Sequence, residues 1–146
     1  MSLESENIDR FNEIIQSEDV LQIREFLNNQ NISDVAELIY EFPEYESQII
    51  GNLSIHRASS TFKILDVPTQ KRIIQESPAF KTAELLNDLS ADDRTSFLEE
   101  LPSEVVKELI KTLDPEERKI TLALLGYPES SVGRLMTPDY IAVQKD

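Results

Sequence analysis

The side chains best placed to do chemistry in this sequence are carboxylates: Asp92-Asp93, Glu99-Glu100, Glu104 and Glu116-Glu117. Paired carboxylates act as general acid and base only in a pocket that separates their pKa values, and no such pocket is visible in the sequence. Mg²⁺ suits them better. It takes oxygen ligands, keeps much of its water shell and often uses only one or two protein carboxylates. Each pair also reads as ordinary acidity at a helix start, where the helix dipole favours negative charge. The single histidine, His56, has no second histidine or cysteine to complete a zinc site. There is no Ser/His/Asp order and no HExxH, and three glycines leave no phosphate cradle. The sequence therefore argues against an enzyme. A catalytic acidic pair is the reading to exclude, and pH separates the two: an exposed Mg²⁺ site titrates like ordinary carboxylates, a catalytic pair does not.

Charge narrows the partners. With 28 Asp and Glu against 14 Lys and Arg, the net charge is −14. Such a surface repels phosphate backbones and anionic lipid heads, which excludes nucleic acid and argues against direct membrane insertion. The absence of cysteine excludes disulfides and thiolate metal sites. The acidic start (Glu4, Glu6, Asp9) is no signal peptide. No apolar run approaches the ~18 residues of a membrane span. A chain of 146 residues is one domain, or one domain plus a fragment.

The elements that carry these acids are short helices. Ile8, Phe11, Ile14 and Ile15 recur at helical spacing over residues 5–16. Ser17-Glu18-Asp19 caps a second helix with Val20, Ile23, Phe26 and Leu27 on one face. A third opens at Ser33-Asp34 and ends at Phe42-Pro43, and a less clear one runs from about Tyr45 to Leu53. From there Leu53, Leu65, Leu89, Leu101, Leu113 and Leu125 fall on a twelve-residue grid that only Ser77 breaks. A capping or breaking residue follows each grid position, and an apolar one stands three residues before it. Two starts are well specified. Ser90 and Asp93 form a capping-box pattern, and Asp114-Pro115-Glu116-Glu117 offers an N-cap, a proline at N1 and acids in the first turn. A nine-residue helix spans only about 14 Å and is marginal alone, so such helices must stack. The competing arrangement is an irregular helical bundle.

The last stretch changes character. In Leu124-Leu125-Gly126-Tyr127-Pro128-Glu129-Ser130-Ser131-Val132-Gly133-Arg134-Leu135-Met136-Thr137-Pro138, Gly126 and Pro128 stop a helix, and Asp139 to Gln144 reads as the start of a strand. This stretch resembles the junction between the N-terminal helical domain and the first CBS domain of MgtE-type magnesium transporters; the looser resemblance covers about residues 20–146. It implies an all-α, right-handed, armadillo-like superhelix of about ten short helices over 1–126. A linker at 127–135 and the opening of a CBS domain at 136–146, a short extended segment, would follow. It further implies a regulatory domain on the cytoplasmic side of the bacterial inner membrane that gates a pore located elsewhere. Its partners would be the CBS and transmembrane domains of the same chain within a homodimer, with Mg²⁺ held weakly at domain interfaces. The best-matching metal position is Asp92, with Asp93 adjacent. Some relatives carry a second acid four residues on, where this chain has Ser96. The alternative is an armadillo-like scaffold for a protein partner, as in flagellar motor switch proteins.

Overall fold

The twelve-residue grid takes physical form as helix starts. The computed structural model describes residues 3–126, and its last six helices begin at Ile55, Val67, Ala79, Ala91, Ser103 and Pro115, one every twelve residues. They are α5 (Ile55–Phe62), α6 (Val67–Glu76), α7 (Ala79–Asp88), α8 (Ala91–Leu98), α9 (Ser103–Ile110) and α10 (Pro115–Leu125). Before them come α1 (Leu3–Ser17), α2 (Val20–Asn28), α3 (Ile32–Glu41), a 3-10 turn at Pro43–Tyr45, and α4 (Glu46–Gly51). The fold is all-α, with ten α-helices and no strand among the described residues. The expected linker at 127–135 and extended segment at 136–146 lie outside the described residues.

Side chains set the helix boundaries. Asp19 accepts from the Gln22 N–H to start α2, and Asp66 accepts from the Thr69 N–H at 2.9 Å to start α6. The Thr69 side chain and N–H hold the Asp66 carboxyl below its usual range, and the nearby Arg72 charge adds to this. Ser90 starts α8 as the expected N-cap: its Oγ accepts from the Asp93 N–H at 3.1 Å. It also donates to Asp93 Oδ2 at 2.9 Å, so the Asp93 carboxylate meets the Ser90 hydroxyl where a capping box would have it meet the Ser90 N–H. Asp114 stands at the N-cap of α10 with Pro115 at N1, but its side chain makes no capping bond. Its own N–H donates to Asn87 Oδ1 instead, at 2.8 Å. Gly126 closes α10 at φ 81°, the left-handed conformation that glycine adopts without a Cβ penalty.

The described residues form two compact units, divided between Leu85 and Leu86. In the first, α3 packs on α5 and α4 on α6, around a core that includes Phe11, Leu27, Ile39, Ile49, Phe62 and Ile73. Phe11 meets Phe42 edge-on at 5.1 Å between ring centres. Glu46, only 2% exposed, is held by the Arg72 guanidinium, whose Nη2 lies 2.9 Å from Glu46 Oε2 and whose Nε bonds both oxygens. That pairing joins α4 to α6 and raises the pKa of Arg72 above its usual value. Val20, expected on the apolar face of α2, is 52% exposed. It is the first residue of its helix, before the buried stripe of Ile23 and Leu27 begins. In the second unit α8 packs on α10, and Leu86, Leu89, Phe97, Leu98, Ile110 and Leu122 are buried.

Candidate functional site

The start of α8 presents two adjacent carboxylates in different states. Asp93 is half-buried, and one of its oxygens is engaged by Ser90. Asp92 is exposed in the same first turn, where the helix N-terminus favours an anion. Ser96, one turn further along, is exposed as well. The more open carboxylate at this helix start is therefore Asp92, while one oxygen of Asp93 accepts from the Ser90 hydroxyl.

What holds this helix start in place is Arg94, which is 0% exposed. Its Nε donates to the Leu86 carbonyl at 2.7 Å and its Nη2 to the Leu89 carbonyl at 2.8 Å. These are carbonyls at the C-terminal end of α7 that lack partners within the helix, and a cation there also complements the helix dipole. Nη1 donates to Thr121 Oγ1 at 2.8 Å, and Nη2 pairs with Glu117 Oε1 at 2.9 Å. One guanidinium thus ties the end of α7, the first turns of α8 and the face of α10 together. It also assigns Glu117, a member of one of the candidate acidic pairs, to a structural ion pair.

The acidic clusters gave no hint of Arg94, but the grid contains the signal. Five residues after the first six grid positions stand Ala58, Gln70, Thr82, Arg94, Val106 and Arg118. Small or less polar residues alternate with strong donors. Each donor reaches back to carbonyls near the end of an earlier helix: Gln70 Nε2 to Phe62 O at 2.8 Å, Arg94 as above, and Arg118 Nη2 to Leu113 O at 3.0 Å. Asparagines make a second recurring bridge. Asn28 binds the Ser54 N–H and the Asn52 carbonyl, and Asn87 binds the Asp114 N–H and the Thr112 carbonyl.

The remaining candidate acids do not converge. Glu99, Glu100, Glu104 and Glu116 are exposed, and no group of three or more His, Asp or Glu side chains able to hold a metal exists among the described residues. His56 is exposed on α5. A metal caged wholly by these side chains does not fit. An Mg²⁺ ion that keeps most of its water and leans on one exposed carboxylate does fit Asp92. Among the described residues no helix is long and apolar enough to cross a membrane.

Short helices on a fixed repeat, with exposed acids and no converging catalytic group among the described residues, define a helical repeat domain. The chain belongs to the MgtE family: the model of the MgtE intracellular N domain matches residues 30–130. Among solved structures, it is similar to the cytosolic domain of the Mg²⁺ channel MgtE in complex with ATP. The TM-score is 0.76 and the identity 25%, over 84% of this chain and 51% of that one. The chain thus spans about half the length of that structure. No significant match to a curated protein is found.

Proposed function

We propose that this chain is the regulatory N-terminal part of the cytosolic region of an Mg²⁺ channel, and that it senses Mg²⁺ through acids facing neighbouring domains. The observation that carries the reading is the family match over residues 30–130. The exposed Asp92 at a rigidly held helix start supports it. In this reading residues 1–126 form the regulatory domain, 127–135 a linker and 136–146 the start of a CBS domain. The chain does no covalent chemistry. Its partners are the CBS and transmembrane domains of the same chain in a homodimer, on the cytoplasmic side of the membrane.

The mechanism is linkage. Facing acidic surfaces repel one another, and Mg²⁺ between them removes the repulsion and adds ligand bonds. The ion then binds the closed arrangement more tightly, and that difference alone shifts the population. Reversing a 1:99 equilibrium takes about 5.5 kcal/mol. An ion with a tenfold preference for the closed state supplies about 1.4 kcal/mol, so roughly four weak bridging ions suffice. Asp92 would provide one ligand, with Asp93 limited by its bond to Ser90.

The test is Asp92→Ala in a full-length channel that carries this domain. Asp92 is exposed, so folding changes by less than about 1 kcal/mol. The internal Mg²⁺ concentration that half-closes the channel should rise. An unchanged midpoint would remove Asp92 from the mechanism.

A further inference from the structure

Ser77 is the position where the twelve-residue grid loses its leucine. Leu53, Leu65, Leu89 and Leu113 on that grid are buried. At Ser77 only a short side chain is present, and its Oγ turns back to donate to the Ile73 carbonyl at 2.7 Å. An open cleft of about 330 Å³ lies beside it, formed entirely within residues 47–85. Buried Ile50, Leu53 and Leu85 make its apolar wall. Glu76, Glu84 and Phe80 stand at its exposed edge, and Phe80 is 65% exposed. This volume is at the small end for ligand sites, which run from about 300 to 1,000 Å³, so the cleft suits a single large side chain.

The charge at the edge selects the kind of partner. Lys81 is directed to the Gly51 carbonyl at 3.4 Å. Glu76 acts on Arg72 through its charge. Glu84 has no ion-pair partner among the described residues. The chain itself carries a net charge of −14, which opposes a second copy as occupant. We infer that the cleft is a docking site for a basic protein segment, which inserts one large apolar side chain at the place the repeat leaves vacant beside Ser77 and sets its lysines or arginines against Glu76 and Glu84. This surface is separate from Asp92 and requires no divalent ion.

The test is a methyl NMR titration of the 146-residue chain with the peptide acetyl-Lys-Lys-Leu-Lys-Lys-amide. Saturable shifts should appear at Ile50, Ile55 and Leu85. Binding should weaken about tenfold or more when the peptide's leucine becomes alanine, since a buried apolar anchor carries most of such an affinity. A peptide with glutamates in place of the lysines should not bind. Ser77→Leu should raise Tm and abolish binding. Glu76→Gln with Glu84→Gln, a pair of exposed changes that leave folding intact, should weaken binding about threefold or more. Absent shifts, equal binding of the acidic or alanine peptide, shifts confined to other acidic surfaces, or full affinity in Ser77→Leu would each overturn the inference. So would concentration-dependent dimerisation that is lost in Ser77→Leu, which would assign the cleft to a second copy.

Discussion

Replacing Arg94 by methionine keeps an apolar stem in the core and removes every donor of the guanidinium. The carbonyls of Leu86 and Leu89, now bonded at 2.7 and 2.8 Å, lose that partner inside the protein. Each buried acceptor left unsatisfied costs about 1–3 kcal/mol. Thr121 is protected, because its hydroxyl also donates to the Glu117 carbonyl at 2.7 Å. The Glu117 side chain is 36% exposed, so water replaces most of what its carboxylate loses, and that part comes to less than about 1 kcal/mol. The expected loss is therefore about 4 kcal/mol, a large part of the 5–15 kcal/mol that holds a typical domain folded. In a chain of this size it corresponds to a fall in Tm of roughly 10 °C. Arg94→Lys, which keeps the charge and one or two bonds, should lose about half as much. Urea denaturation followed by circular dichroism measures all three proteins, and Glu117→Gln serves as a control expected to cost less than about 1 kcal/mol. The reasoning is refuted if Arg94→Met lies within about 0.5 kcal/mol of the parent. It is also refuted if Glu117→Gln costs as much as Arg94→Met, since the ion pair and not the carbonyl cap would then carry the energy.

Asn87→Ala removes the acceptor for the Asp114 N–H and the donor to the Thr112 carbonyl. Asp114 is exposed and water can replace one of these bonds, so the loss should be about 1–2 kcal/mol in the same urea assay, and a neutral result would show that the bridge contributes nothing. Asp66 has a carboxyl pKa below its ordinary value of 3.8 in the folded chain. It therefore adds stability above the unfolded-state pKa, and this is lost as pH falls through the folded one. Asp66→Asn keeps a competent N-cap and should flatten the acid limb of a stability-versus-pH curve while matching the parent near neutrality; parallel acid limbs would contradict this.

The fold was legible where one local signal decided the outcome. The leucine grid placed six consecutive helix starts, Ser90 capped α8 through the Asp93 N–H, and Gly126 ended α10. Where partners come from distant sequence, the reading fell short. Arg94 is not singled out by its immediate neighbours, because its burial depends on carbonyls at the end of α7, to which only its place on the grid points. Glu46 is buried for a similar reason: its counterion, Arg72, comes from 26 residues further on. Asp114 looked like a capping side chain, but its N–H is held by Asn87, 27 residues earlier. The candidate site divides in the same way. That Asp92 and Asp93 begin a helix follows from their neighbours, whereas the division of labour between them depends on which oxygen Ser90 engages. A bridging role for Asp92 would further require a second acidic surface opposite it, which the proposed function assigns to another domain.

The most direct test of a regulatory role is to delete residues 1–126 from a full-length channel carrying this domain and record Mg²⁺ currents against internal Mg²⁺. The account predicts that conduction persists and that closure requires higher internal Mg²⁺ than in the intact channel. Lost conduction in a channel that still reaches the membrane, or an unchanged closing midpoint, would contradict it.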